Sequence, residues 1–203
     1  VYVTGKSFGR SKNEAGIDVL HKDIATLKYD TAGNIAWIDR FTTPDLIDAF
    51  CNDLTVDSEG NAYVVGSSLF LGAFTMKFDA DGNKTWLKIY EPSSQYSRTY
   101  PRSVALDPSG NIYVAAQSFH TTELRPAVKG DNDIHVYTYN PSGELLADVQ
   151  FASYEGIDDE ALEIQAGADY SITVLGFSGK GELIHELVHE SSRFLILRYR
   201  LLN

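Results

Sequence analysis

From Phe74 to Phe78 the side chains alternate, with Phe74, Met76 and Phe78 apolar and Thr75 and Lys77 polar. A period of two belongs to a strand with one buried face. Asp79-Ala80-Asp81-Gly82-Asn83 follows, a turn in which Gly takes positive φ and Asp caps the bend. Trp86, Ile89 and Tyr90 then open a second strand, so residues 74–90 are predicted to form a hairpin. The same hairpin recurs at 24–41 (IATLKYDTAGNIAWIDRF) and 134–151 (IHVYTYNPSGELLADVQF), with an echo at 194–203 (FLILRYRLLN). A second hairpin alternates with it at 54–66 (LTVDSEGNAYVVG), 104–117 (VALDPSGNIYVAAQ) and 162–176 (LEIQAGADYSITVLG). Residues 1–5 match only its second half, and the anchor positions are read as Tyr2, Tyr63, Tyr113 and Ile172.

A unit of roughly 40–60 residues carrying four short strands is the signature of a propeller blade. The expected fold is therefore all-β: a beta-propeller array of about four blades, each a four-stranded antiparallel sheet. Blade one covers 1–41 and lacks its first strand, blade two covers 51–90, blade three 101–151 and blade four 160–203. The polar stretches 6–22, 119–132 and 179–192 are expected to be long loops between second and third strands. Blade four has two readings. In one, 179–192 is a loop, 193–200 is the third strand and the fourth is missing. In the other, 182–188 is the third strand and 193–199 the fourth. The incomplete first blade leads to the expectation of a larger ring, or of another chain or segment that completes the propeller.

The strand ends Tyr2–Gly5 and Tyr63–Gly66, the D-x-x-G-N turns at 30–34, 57–61 and 107–111, and the strand ends Lys28-Tyr29-Asp30 and Lys77-Phe78-Asp79 carry a family resemblance. The chain resembles the bacterial beta-propeller repeat family of the SBBP type and, more distantly, NHL-like propellers. The resemblance implies a secreted, cell-surface or periplasmic location. It implies no particular activity, because propellers host many functions.

The formal net charge of −11 argues against nucleic acids and anionic membrane surfaces as partners, since both select clustered Lys and Arg. No run reaches the roughly 18 apolar residues of a membrane span. Cys51, the one cysteine, has no intrachain partner and reads as a small apolar residue.

His185-Glu186-Leu187-Val188-His189 fits H-E-x-x-H, in which two His one helical turn apart hold zinc and the Glu acts as base. The 193–203 segment downstream contains no His, Asp or Glu to serve as a third ligand, and strands hem the motif in. On the first reading of blade four, His21, His120, His185 and His189 all fall in the expected long loops, on a ring face that also gathers Asp23, Asp131 and Asp133. Loops on a rigid scaffold commonly carry function, so His21, Asp23, His120, Asp131 and Asp133 are candidate binding residues, and His185 and His189 candidate metal ligands. The 79–83 turn superficially resembles a calcium loop but lacks the distal bidentate Glu. No cofactor is expected, with zinc at the His pair or calcium as the exceptions. Trp37 and Trp86 occupy equivalent positions and are expected to pack between blades. No Ser-His-Asp order, phosphate loop or C-x-x-C cluster is legible in the sequence.

These features support a non-catalytic module that displays one propeller face to a protein or glycan. A metal-dependent hydrolase built on His185, Glu186 and His189 is the second reading, and a purely structural spacer the third.

Overall fold

A computed structural model describes residues 1–44, 46–69, 71–90, 98–120, 131–152, 158–179 and 193–200. All regular structure among them is β-strand, arranged as four antiparallel sheets. The chain divides into two compact units, Val1–Glu91 and Pro92–Asn203, each holding two propeller-type sheets.

In the first unit, β1 (Tyr2–Lys12), β2 (Asp18–Tyr29) and β3 (Ile35–Phe41) pair in the order β1-β2-β3. The second sheet orders β4 (Ala49–Val56), β5 (Ala62–Ser68), β6 (Gly72–Phe78) and β7 (Lys84–Tyr90) as they occur. Ile24 and Phe41 of the first sheet share one dry core with Ala49, Ala62, Val64, Phe74, Met76 and Phe78 of the second. Trp37 stacks on Phe78 with centroids 5.8 Å apart and donates from Nε1 to the Ala80 carbonyl at 3.2 Å. Lys28 Nζ donates to the same carbonyl at 2.8 Å, and Tyr2 Oη to the Gly60 carbonyl at 2.7 Å. Apolar faces meet in the middle, and donors from one sheet satisfy turn carbonyls of the next at the rim.

In the second unit, β8 (Arg98–Leu106), β9 (Ile112–His120), β10 (Asp131–Tyr139) and β11 (Leu145–Phe151) form one sheet in sequence order. The other holds β12 (Asp158–Ala166), β13 (Ser171–Gly179) and β14 (Arg193–Arg200). Ala105, Tyr113, Ala115, Ile134 and Val136 pack against Ala161, Ile164, Ile172 and Val174. β14 pairs along β13, with Val174 opposite Leu197. Residues 193–200 thus lie beside the second strand of this sheet, the place of a third strand.

One turn design repeats. The carboxylate of Asp30 accepts from the N–H groups of Ala32 and Asn34 and from Asn34 Nδ2. Asp57, Asp79 and Asp107 do the same for their own turns. Asn140 replaces the Asp in blade three and reverses the last bond, donating from Nδ2 to Glu144. The fourth turn residue sits at φ 79–89° as Gly33, Gly60, Gly82, Gly110 and Gly143. In blade four Tyr170 holds that position at φ 61°, with Gly167 where the Asp should be.

That turn corrects the register read from sequence. Gly167 and Ser171 exchange the backbone bond that Asp107 and Asn111 exchange, so Ile172 matches Ile112 and the anchor position is Thr173. Thr173 faces Arg198 as Tyr63 faces Lys77. The glycine three residues on, Gly66 or Gly176, does not end its strand. A Cβ on Gly66 would strike the Phe50 carbonyl, and one on Gly176 would strike that of Glu160. Both lie opposite a β-bulge that recurs at Cys51/Asp53, Pro101/Ser103 and Ala161/Glu163, and bulges bring the two backbones close.

The expected loop at 6–22 is not a loop. Tyr2–Lys12 and Asp18–Tyr29 pair through eleven residues, from Tyr2 opposite Lys28 to Lys12 opposite Asp18. Only 13–17 turn, held by Asn13 Oδ1 accepting from Ala15 and Ile17 N–H. The stretch lacks an apolar alternation because it needs none: ladder hydrogen bonds are made by the backbone whatever the side chains. Likewise β9 extends to His120 and β10 begins at Asp131, so most of the second expected loop's ends are paired strand.

Candidate functional site

Position in the ribbon explains how His21 meets Asp23. Residues two apart on a strand point to the same face. His21 Nδ1 lies 2.7 Å from Asp23 Oδ1, and His21 Nε2 lies 3.0 Å from Ser11 Oγ on the partner strand. Both His21 and Asp23 are buried, at 3% and 4% exposure, while Ser11 is half-buried. The residue directly opposite His21 is Gly9. A Cβ there would run into Asp23 Oδ2 and the imidazole, so only a glycine leaves room for the pair to lie across β1. Arg40 donates to Ser7, which faces Asp23 across the ladder, and closes the other end of the row.

A second Ser–His–Asp chain crosses blade three. Thr99 and Ser118 hydroxyls lie 2.9 Å apart, Ser118 Oγ lies 2.8 Å from His135 Nδ1, and His135 Nε2 meets Asp148 Oδ1. Each of the four strands contributes one member. Here Ser118 is fully buried (0% exposed). Its hydroxyl is engaged on both sides, and the carboxylate holds the opposite imidazole nitrogen from the one held in blade one. This arrangement ties a sheet together and offers no reachable nucleophile. Beside it, burial first and the Asp148 charge second push the Tyr139 phenol up to about 12.

Of the five candidate binding residues, the structure brings His21 and Asp23 into contact. Asp133 is buried on β10 and accepts from Gln150 Nε2 at 2.6 Å. His120 and Asp131 are opposite one another in the β9–β10 ladder, though their side chains are not among those described. None of these five is in a loop. His185 and His189 lie outside the described residues, and with them the H-E-x-x-H motif. Among the described residues, no three His, Cys, Asp or Glu side chains converge to hold a metal. The Asp79 carboxylate is occupied by its own turn, with Asn83 Nδ2 and N–H holding its pKa below the ordinary carboxylate value. Cys51 is half-buried against the core of the first unit. Among the described residues, no helix is long and apolar enough to cross a membrane.

The other face of the ribbon enters the core at Ile24 and is open beyond it, around Phe8 and Leu20. Lys6, Phe8, Arg10 and Lys12 on β1 stand opposite Ile24, Lys22, Leu20 and Asp18 on β2, so their side chains share one side. Phe8 is 73% exposed and Leu20 70%. Lys6 Nζ lies 5.7 Å from the Phe8 ring centroid. Lys22 pairs with Asp48, and the Lys22 ammonium holds the Asp48 carboxyl below its usual range. Sequence reasoning missed Ser11, Gly9, Ser118 and Asp148. The one legible signal was the i, i+2 spacing of His21 and Asp23, which is meaningful only if 18–29 is a strand.

Residues 37–70 and 93–120 match the family model described as Beta-propeller repeat, SBBP. These segments are SBBP beta-propeller repeats. The 37–70 repeat runs from the last strand of one sheet through the first two of the next. No curated protein matches the chain's sequence. Among solved structures, the chain is similar to an ulvan lyase of polysaccharide lyase family PL25 at 12% identity and TM-score 0.61, over 98% of this chain and 53% of that one. A PL25 ulvan lyase bound to -[GlcA(1-4)Rha3S]- gives 12% identity and TM-score 0.59, over 88% and 47%. The chain thus spans about half the length of these lyases, and at that identity the likeness concerns the fold alone.

Proposed function

We propose that this chain belongs to a binding module whose β1–β2 ribbon contacts an anionic glycan. The observation that carries this reading is the open ribbon face. In a chain of net charge −11, the side chains of Lys6, Arg10 and Lys12 stand on one strand face around exposed Phe8 and Leu20. An aromatic ring flanked by cations offers a pyranose an apolar platform and its carboxylates or sulfates a counter-charge. A two-stranded ladder holds these groups at fixed spacing, which lowers the ordering cost of binding. The rest of the molecule is acidic and repels a polyanion, so the contact is confined to the ribbon. A PL25 ulvan lyase of similar fold is known bound to -[GlcA(1-4)Rha3S]-, which supports an acidic saccharide as the ligand class to test. An extracellular or envelope location belongs to the same proposal.

The test is affinity electrophoresis in gels containing polygalacturonate, dextran sulfate or neutral dextran. Retardation by the charged polymers alone, weakened by salt and lost in Lys6→Ala/Arg10→Ala, is the expected result. Phe8→Ala should weaken it about tenfold. Equal mobility in all gels, or retardation unaffected by the ribbon variants, overturns the proposal and leaves a protein partner as the better reading.

A further inference from the structure

We infer that Ser11 is an activated nucleophile and that Ser11, His21 and Asp23 form an ester-cleaving site. Three features separate this cluster from an ordinary polar patch. The connectivity is that of acyl-transfer enzymes: the carboxylate holds Nδ1 at 2.7 Å and the hydroxyl faces Nε2 at 3.0 Å. Burial is graded, with Asp23 and His21 shielded from water and Ser11 half-open. The backbone of the facing strand is bare at Gly9, where any side chain would displace the pair. The Ser118–His135–Asp148 chain serves as an internal comparison. It holds the same residue types, yet its hydroxyl is fully buried and bonded to Thr99.

β1 is also the edge strand of its sheet among the described residues. An edge strand presents backbone N–H groups outward, the donor type that stabilises an oxyanion. The substrate class is a carboxylic ester small enough to reach Ser11 from that edge. Ser11 Oγ attacks the carbonyl carbon as its proton passes to His21 Nε2. The ester C–O bond breaks and the alcohol leaves with that proton. Water then attacks the acyl-serine, giving its proton to His21, and the carboxylic acid departs as Ser11 Oγ takes the proton back. Asp23 is a positioning residue that fixes the imidazole and its tautomer.

The experiment treats the protein with a fluorophosphonate probe, followed by peptide mass mapping, and in parallel measures p-nitrophenyl acetate hydrolysis. The expected result is one adduct on Ser11, absent in Ser11→Ala, with Ser118→Ala labelled like the wild type. Asp23→Asn should slow labelling by on the order of a hundredfold. Should Asp23→Asn fail to fold, the wild-type adduct map and Ser11→Ala decide the matter alone. No adduct, an adduct elsewhere, or hydrolysis unchanged in Ser11→Ala overturns the inference.

Discussion

Replacing Asp107 by Ala removes more from this molecule than one exposed carboxylate would suggest. Asp107 Oδ1 accepts from Ser109 N–H at 2.8 Å and Asn111 N–H at 2.9 Å. Oδ2 accepts from Asn111 Nδ2 at 2.8 Å and from the Tyr113 hydroxyl at 3.0 Å. The group is buried, and so is Tyr113, whose phenol burial first and the Asp107 bond next push up to about 12. Each bond contributes about 0.5–1.5 kcal/mol net, and a stranded buried donor costs more than its bond was worth. Ser109 N–H sits on the turn and finds water, which offsets part of the loss. The sum is about 3 kcal/mol, or roughly 6–12 °C in Tm for a domain of this size. Thermal unfolding followed by circular dichroism measures it. Asp30→Ala is the control, because Asp30 makes the same turn bonds in the open, where water replaces them. The reasoning fails if Asp107→Ala melts with the wild type, or if the two variants fall equally.

Three further outcomes follow from the same geometry. Tyr170→Gly relieves a left-handed residue at φ 61° where the equivalent turns carry Gly, and should raise Tm by about 2–4 °C in the same melting assay. At Asp57, burial alone would raise the carboxyl, but bonds from Asn61 and Tyr63 outweigh it and the pKa is lowered. A depressed folded-state value means the stabilisation is complete above the unfolded carboxylate pKa of about 3.9 and is lost as pH falls through the folded value. Urea midpoints of wild type should therefore drop more steeply than those of Asp57→Asn below about pH 4, and parallel curves would contradict the assignment. Gly9→Ala should cost about 1–3 kcal/mol by overpacking and abolish fluorophosphonate labelling at Ser11, whereas an alanine tolerated with full labelling would mean the His21–Asp23 pair sits elsewhere.

The fold was legible because its turns are local. Asp30, Asp57, Asp79 and Asp107 each close a bend with atoms lying within the next four positions, so the D-x-x-G-N string carries the whole instruction. Trp37 was readable for a related reason, as an apolar ring at a repeated offset, and it does pack between sheets, while Trp86 meets Tyr63 of its own sheet. The ribbon was not legible, since Ser7, Gly9 and Ser11 show no buried side and the ladder depends on a partner strand rather than on side chains. Blade four misled for a different reason. Gly167 and Tyr170 replace the Asp and Gly of the turn, which shifts the apparent anchor by one residue. The two Ser–His–Asp chains were hidden because Ser11 lies on a different strand from His21 and Asp23, and Ser118, His135 and Asp148 lie on three, and cross-strand register cannot be read along a line. Asp148 reaches His135 from the neighbouring strand, thirteen positions away.

The phase of the copied unit bears on how such a chain lengthens. The 37–70 match begins in the last strand of one sheet and ends after the second strand of the next. It therefore contains Phe41 from one side of the dry core and Ala49, Ala62 and Val64 from the other. A duplication in this frame transplants a seam already fitted on both flanks. Lineages can then gain or shed whole units by recombination with little mismatch at the joins, leaving the ribbon ends free to diverge toward new ligands.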